Sequence, residues 1–265
     1  MTTSLRRADL LSLSNLRNDG RKPEEIRRLR VQLGPLAGEA GGSALVEMGL
    51  TMALAVVKGP MECLRRSDEL PDRAILDVKV SAAPFGFGTD RRVTNANTDR
   101  RLVEAAHWLQ KAMEATVLLQ LHPKSRIQIH VLVLADDGGR LCAAINAATC
   151  ALLDAGIPMK DFCVACTAGL DEDTTLVDLN RREESSSNGQ PAVVLPCAML
   201  PQRGTVVLAQ CEARLPSTDT LHRVQAAAMD GCRAVFEILQ AAVRERATTL
   251  LSARKGHASI ENAFP

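Results

Sequence analysis

The sequence predicts an α+β domain in which helices pack on mixed sheets. Three observations lead there. β-type apolar runs joined by short glycine links fill the stretch from Arg30 to Lys58. Two long stretches, Thr98 to Leu121 and Thr218 to Leu251, read as helices. In the first, Leu102, Ala105, Ala106, Leu109, Met113 and Val117 recur at helical spacing. Between them, Ile127 to Phe162 holds a strand, a turn at Asp136-Asp137-Gly138-Gly139 and a small-residue helix. No repeat of roughly 20–50 residues is visible and no linker divides the chain. The expected organisation is one domain over residues 17–251, a flexible arm at 1–16 and a mobile tail at 252–265.

Each element has its own signal. Asn18-Asp19-Gly20 marks a turn, and Pro23-Glu24-Glu25 opens a short helical turn. Strands follow at Arg30–Ala37, Gly42–Glu47 and Thr51–Lys58, and their short links predict an antiparallel meander. Gly59-Pro60 closes that meander, a charged loop runs to Leu70, and Ala74–Ala82 is a further strand. Phe85–Thr98 reads as an exposed loop, with Thr98 the expected N-cap of the next helix and Asp99 in its first turn. His122-Pro123 ends that helix. After a strand at Ile127–Leu134, a helix from Leu141 to Asp154 is stopped by Gly156 and Pro158. Strands at Cys163–Leu170 and Thr174–Leu179 lead to a serine-rich loop, Asn180–Gln190. Strands at Ala192–Pro196 and Gly204–Gln210 precede the last helix, which Ser217 or Thr218 caps.

Composition narrows the function. With 46% apolar residues in 265, the chain can bury a sizeable core. No apolar run approaches the roughly 18 residues of a membrane span. The polar N-terminal stretch lacks a secretion signal's hydrophobic core, so an intracellular chain is expected. Cys142, Cys150, Cys163 and Cys166 lie in apolar runs, as buried reduced thiols do. Cys163 and Cys166 form a CxxC with no second pair, which favours a structural role over metal or redox work. His107, His122, His130, His222 and His257 show no metal spacing, and no metal is expected.

Net charge is only +1, so bulk polyanion binding is excluded, and the cations are clustered instead. Arg17, Arg21, Lys22, Arg27, Arg28 and Arg30 fall early; Arg65-Arg66, Arg91-Arg92 and Arg100-Arg101 form pairs. Aromatic content is 2%, so a nucleic-acid site would grip phosphates rather than stack bases. Arg100 and Arg101 at a helix start oppose the helix dipole, which calls for an anion partner. The strand, double glycine and helix N-terminus around Gly138 and Gly139 make an anion cradle from unpaired backbone N–H groups.

Six motifs occur in order: Asp19-Gly20-Arg21, Gly42-Ser43-Ala44, Ala55-Val56-Val57-Lys58-Gly59-Pro60, Leu70-Pro71-Asp72-Arg73-Ala74, Ala135-Asp136-Asp137-Gly138-Gly139 and Asp154-Ala155-Gly156-Ile157-Pro158-Met159. Together they resemble the RNase PH family over about residues 17–250. Within it the chain is most similar to the exosome ring subunits that correspond to the catalytic subunit of the archaeal exosome. The resemblance implies a ribosomal-protein-S5-domain-2-like fold and a second RNase PH-like partner. It implies three such pairs in a six-membered ring, S1/KH cap proteins on one face, and single-stranded RNA threading the pore. In active members inorganic phosphate attacks the terminal phosphodiester and releases a nucleoside diphosphate. The implied RNA contacts are Arg65, Arg66, Arg91, Arg92, Arg100 and Arg101, with Arg66 the better match in its pair.

Phosphorolysis aims one anion at another, so it needs cations, N–H donors and a proton or metal for the leaving oxygen. Active members follow the double glycine with Ser or Thr and then Arg; here Arg140 and Leu141 stand there. Arg140 comes one place early and points about 100° away on a helix. The family's Asp before the strand at Pro191–Pro196 has no counterpart in Ser185–Gln190. Glu183-Glu184 matches an upstream feature and reads as a surface charge pair; Asp178 reads as structural. Gly138, Gly139 and Arg140 are then a vestigial phosphate site, with no catalytic residue and no cofactor. The expected function is a non-catalytic exosome ring subunit in the nucleus, nucleolus and cytoplasm. It would line the pore and guide RNA, ribosomal RNA included, towards a hydrolytic ribonuclease bound elsewhere. The alternative is an active phosphate-dependent 3′–5′ exoribonuclease using phosphate and magnesium with Arg140, Arg101 and a loop glutamate.

Overall fold

Period-2 alternation sets the first sheet. In the computed structural model, which describes residues 16–36, 41–63, 69–86, 99–171, 174–185, 193–211, 213, 215 and 217–261, β3 (Thr51–Glu62) buries Thr51, Ala53, Ala55 and Val57 and turns the alternate residues outward. β1 (Leu29–Leu33), β2 (Gly42–Met48) and β3 form the expected antiparallel meander. β4 (Ile75–Ala82) and β5 (Ser125–Ala135) complete a five-stranded sheet in the order β1-β2-β3-β5-β4. Among the described residues of this sheet only the β4–β5 pair is parallel. β6 (Val164–Asp171), β7 (Thr174–Val177), β8 (Val193–Leu200) and β9 (Thr205–Ala209) make a second, antiparallel sheet in the order β7-β6-β8-β9.

Helix α1 (Arg100–Thr116) crosses between the parallel strands. The chain beyond its last turn returns to the start of β4, where Ala74 N–H donates to Leu119 O at 2.9 Å. The first turn of α1 therefore stands at the C-terminal ends of β4 and β5, the end from which α2 (Arg140–Asp154) departs. Helix α2 packs on β2 and β3 of one sheet and on β6 and β8 of the other. Every residue from Cys142 to Leu152 is buried, and its alanines let both sheets approach. The two polar residues that pair outside the helix bond to β6 and its lead-in. Asn146 exchanges two hydrogen bonds with Ala165, at 2.8 and 2.9 Å, and Thr149 Oγ1 donates to Cys163 O at 2.7 Å. A Cβ on Gly42 would collide with the backbone of Ala151 and Ala155, which fixes glycine in that motif. Two further helices follow, α3 (Arg181–Glu184) and α4 (Thr218–Glu261).

Four expectations are corrected. Gly59-Pro60 does not end its strand: β3 continues to Glu62, and the register against β5 shifts between Lys58 and Met61 to pass the proline, which has no N–H to donate. The N-cap of α1 is Asp99, whose side chain accepts Arg101 N–H at 3.0 Å; Thr98 lies outside the described residues. That helix stops at Thr116 because Val117 leaves to form a β-bridge with Met159. Helix α4 continues past Leu251 to Glu261, since propagation adds one hydrogen bond per residue and no proline intervenes. Ser217 is its cap, accepting Thr220 N–H at 3.2 Å.

Candidate phosphate and RNA site

The double-glycine turn is held from three sides. Gly138 and Gly139 have φ of 89° and 67°, the left-handed region that favours glycine. A Cβ on Gly138 would lie 2.6 Å from the Asn180 carbonyl carbon and 2.7 Å from Arg181 N. The glycine is thus what admits the backbone of residues 180–181. Arg181 N–H then donates to Asp137 O at 2.9 Å. Thr51 Oγ1 donates to Gly138 O at 2.7 Å and accepts Asp137 N–H at 3.0 Å. Arg27 donates to Asp137 O and Gly138 O at 2.9 and 3.2 Å.

The N–H groups of the turn are already in use. Gly138 N–H donates to Asp136 Oδ1 at 3.2 Å, and Gly139 N–H donates to Glu184 Oε1 at 2.6 Å. Gly139 is the N-cap of α2 and has no side chain to cap it, so Glu184 supplies the carboxylate from α3. Burial pushes the Glu184 pKa up and Asp136 adds to that, against the opposing pull of Gly139 N–H, Arg27 and Arg140. Arg140 turns back to Asp136, in the turn that precedes its helix, at 3.5 Å.

The first part of the stretch expected as a loop, with its expected surface charge pair, is a capped helix over Arg181–Glu184. Asn180 accepts from Arg182 N–H and Glu183 N–H at 3.1 and 3.0 Å, and Glu183 accepts Asn180 N–H at 2.8 Å, a capping box. Glu183 is buried, and Arg17 holds both of its carboxylate oxygens, one at 2.9 Å. The Asp19-Gly20-Arg21 motif braces the same helix: Asp19 accepts from Asn180 Nδ2 and from Arg21, both at 3.1 Å. Burial opposes the Asp19 charge, but Arg21 and Asn180 outweigh it and hold its pKa low.

Asp178 is structural. Its carboxylate accepts Arg27 Nη2 at 2.7 Å, Arg27 Nε at 3.0 Å and Arg27 N–H at 2.7 Å. Burial works against the Arg27 charge, yet the Asp178 carboxylate prevails and raises its pKa. Two members of the early basic cluster, Arg17 and Arg27, therefore face inward. Nothing in their local sequence distinguished them from exposed cations; their partners lie more than 100 positions away.

Arg100 and Arg101 are exposed on the first turn of α1, at the same end of the sheet as the cradle. Gly86 O accepts Asp136 N–H at 3.2 Å, which sets Gly86 beside the turn. Arg65, Arg66, Arg91 and Arg92, and most of the Ser185–Gln190 loop, lie outside the described residues. Cys142, Cys150, Cys163 and Cys166 are buried, and burial pushes the Cys150 and Cys163 thiols up to about 12. Among the described residues no group of three or more His, Cys, Asp or Glu is placed to hold a metal ion.

Comparison with known proteins identifies the family. Residues 25–158 match the RNase PH description, "3′ exoribonuclease family, domain 1". The chain is 43% identical over 238 residues to exosome complex component RRP41 of Homo sapiens, covering 89% of this chain and 94% of that protein. It is 35% identical over 237 residues to exosome complex component Rrp41 of Methanopyrus kandleri, covering 89% and 95%. Rice Rrp46 superposes with a TM-score of 0.75 at 24% identity, over 86% of this chain and 100% of that one. A chain of the Archaeoglobus fulgidus exosome with RNA bound to the active site gives 0.69 at 23%, over 84% and 92%. The chain belongs to the RNase PH family, and its fold is the RNase PH-like α+β fold.

Proposed function

We propose that the chain is a non-catalytic RNase PH-like subunit of an RNA exosome core ring. Relatives named as exosome components, aligned over about nine-tenths of the chain, support the assembly. The observation that carries the non-catalytic reading is Arg140, which is paired with Asp136 instead of being presented to an incoming phosphate. In this reading the subunit pairs with a second RNase PH-like chain, and S1/KH proteins cap the six-membered ring. Arg65, Arg66, Arg91, Arg92, Arg100 and Arg101 grip RNA phosphates along the pore and lead the 3′ end to a hydrolytic ribonuclease bound elsewhere. The role belongs in the nucleus, nucleolus and cytoplasm; imaging that finds the tagged chain excluded from the nucleus counts against it.

The deciding assay incubates the reconstituted ring, without added nucleases, with labelled RNA, magnesium and phosphate. No nucleoside diphosphate is expected. Release that stops with Arg140→Ala overturns the reading. One observation favours the alternative, an active phosphate-dependent exoribonuclease: Glu184 brings a carboxylate to the turn. The same assay decides between the two.

A further inference from the structure

Among the described residues, Phe85 is the one phenylalanine or tryptophan left in solvent. It is 68% exposed, whereas Phe162 and Phe236 meet edge to face at 5.4 Å and Trp108 packs against the core. Folding gains little from a ring in water, yet this ring stands on a fixed ledge. Gly86 N–H donates to Ala83 O at 2.8 Å and closes a β-turn with Pro84 and Phe85 at its corners, where the proline presets the backbone angle. Both ends of the turn are pinned. Ala83 N–H donates to Val133 O at 2.8 Å, and Gly86 O accepts Asp136 N–H at 3.2 Å. A Cβ on Gly86 would lie 2.7 Å from Leu134 O, so the glycine lets the turn lie against the end of β5. Main chain held by β5 and by the double-glycine turn thus presents the ring to solvent.

The surroundings of the ring name its ligand. Phe85 follows the last residue of β4, Ala82, by three positions, and exposed Arg100 and Arg101 stand at that same end of the sheet on the first turn of α1. A flat apolar face beside two guanidinium groups matches the two parts of a nucleotide, a base with a π face and a charged phosphate. We propose that Phe85 is a stacking platform for a nucleobase of single-stranded RNA, next to the phosphates that Arg100 and Arg101 grip. This deepens the RNA-contacting reading, on which it rests, by adding a contact to a base. Every base has a π face, so the platform holds a strand without reading its sequence. Low aromatic content points to a phosphate grip, and one fixed ring adds a base to it.

The test is fluorescence anisotropy of the reconstituted ring with 5′-labelled single-stranded RNA, comparing wild type, Phe85→Ala and Phe85→Trp. An abasic ribose-phosphate strand of the same length forms a second arm. Phe85→Ala is expected to weaken RNA binding about fivefold or more, the low end of what one base on an aromatic ring is worth, and Phe85→Trp to keep it. The slope of log affinity against log salt should stay unchanged in Phe85→Ala, because no phosphate contact is lost. On the abasic strand wild type and Phe85→Ala should bind alike. Unchanged affinity for RNA, or an equal loss on the abasic strand, overturns the proposal. Dissociation of the ring by Phe85→Ala also overturns it, and assigns the ring of Phe85 to a contact with a neighbouring subunit. The RNA-contacting reading fails separately. If Phe85→Ala is silent while Arg100→Glu with Arg101→Glu weakens binding, the platform is lost and that reading stands; if both are silent, both are lost.

Discussion

Arg27 and Asp178, 151 positions apart, meet in a buried ion pair at 2.7 Å that ties the N-terminal segment to the end of β7 and, through Asp137 and Gly138, to the double-glycine turn. A two-pronged guanidinium–carboxylate contact of this kind is strongly directional. Removing one partner leaves the other charged, desolvated and alone. Asp178→Ala is therefore expected to cost about 3–5 kcal/mol in urea unfolding. The double replacement Arg27→Met with Asp178→Leu should recover a large part of that loss. Additive losses in the two single variants and the double would show that the pair is not coupled.

Gly138 and Gly156 both have positive φ, 89° and 71°, but their surroundings differ. A Cβ on Gly156 meets nothing within 4 Å, while one on Gly138 meets the backbone of Asn180 and Arg181. Gly156→Ala should cost only the left-handed penalty, about 1–2 kcal/mol. Gly138→Ala should cost clearly more and also displace α3. Equal losses in thermal unfolding would contradict the packing argument.

Glu184 gives the stability a pH dependence of known sign. Burial raises its pKa above the ordinary value of 4.5, so the folded chain holds the proton more tightly than the unfolded chain does. Its contribution is fully present below the unfolded pKa and is lost as pH rises through the raised folded value. Compared with Glu184→Gln in phosphate-free buffer, wild type should therefore lose melting temperature as pH rises across that window. A difference that stays constant with pH would refute the assignment.

Arg100 and Arg101 stand exposed on the first turn of α1, at the cradle end of the sheet. If they grip RNA phosphates, replacing both with Glu weakens RNA binding by the ring without dissolving it. The slope of log affinity against log salt should also become shallower by about 0.7 for each phosphate of single-stranded RNA that is no longer neutralised. Unchanged affinity and slope would remove these two residues from the RNA path. The effect should not depend on RNA sequence, because phosphates carry none.

What the sequence determined by itself was local periodicity and turn chemistry. Alternation in Gly42–Lys58 set a meander, the apolar spacing from Leu102 to Val117 set α1, and Gly156 with Pro158 stopped α2, because these depend only on neighbours along the chain. The six motifs likewise sufficed for the family. Tertiary structure alone decided the site. Arg17 and Arg27 read as surface cations and are buried clamps; Glu183-Glu184 read as a surface pair and is half clamp, half cap. Gly139 and Glu184 are 45 residues apart, and no period in the sequence links a helix N-terminus to a carboxylate on another element. Their meeting depends on how closely two backbones can approach at Gly138. The glycines made the cradle legible, and only the fold shows that a carboxylate already lies in it.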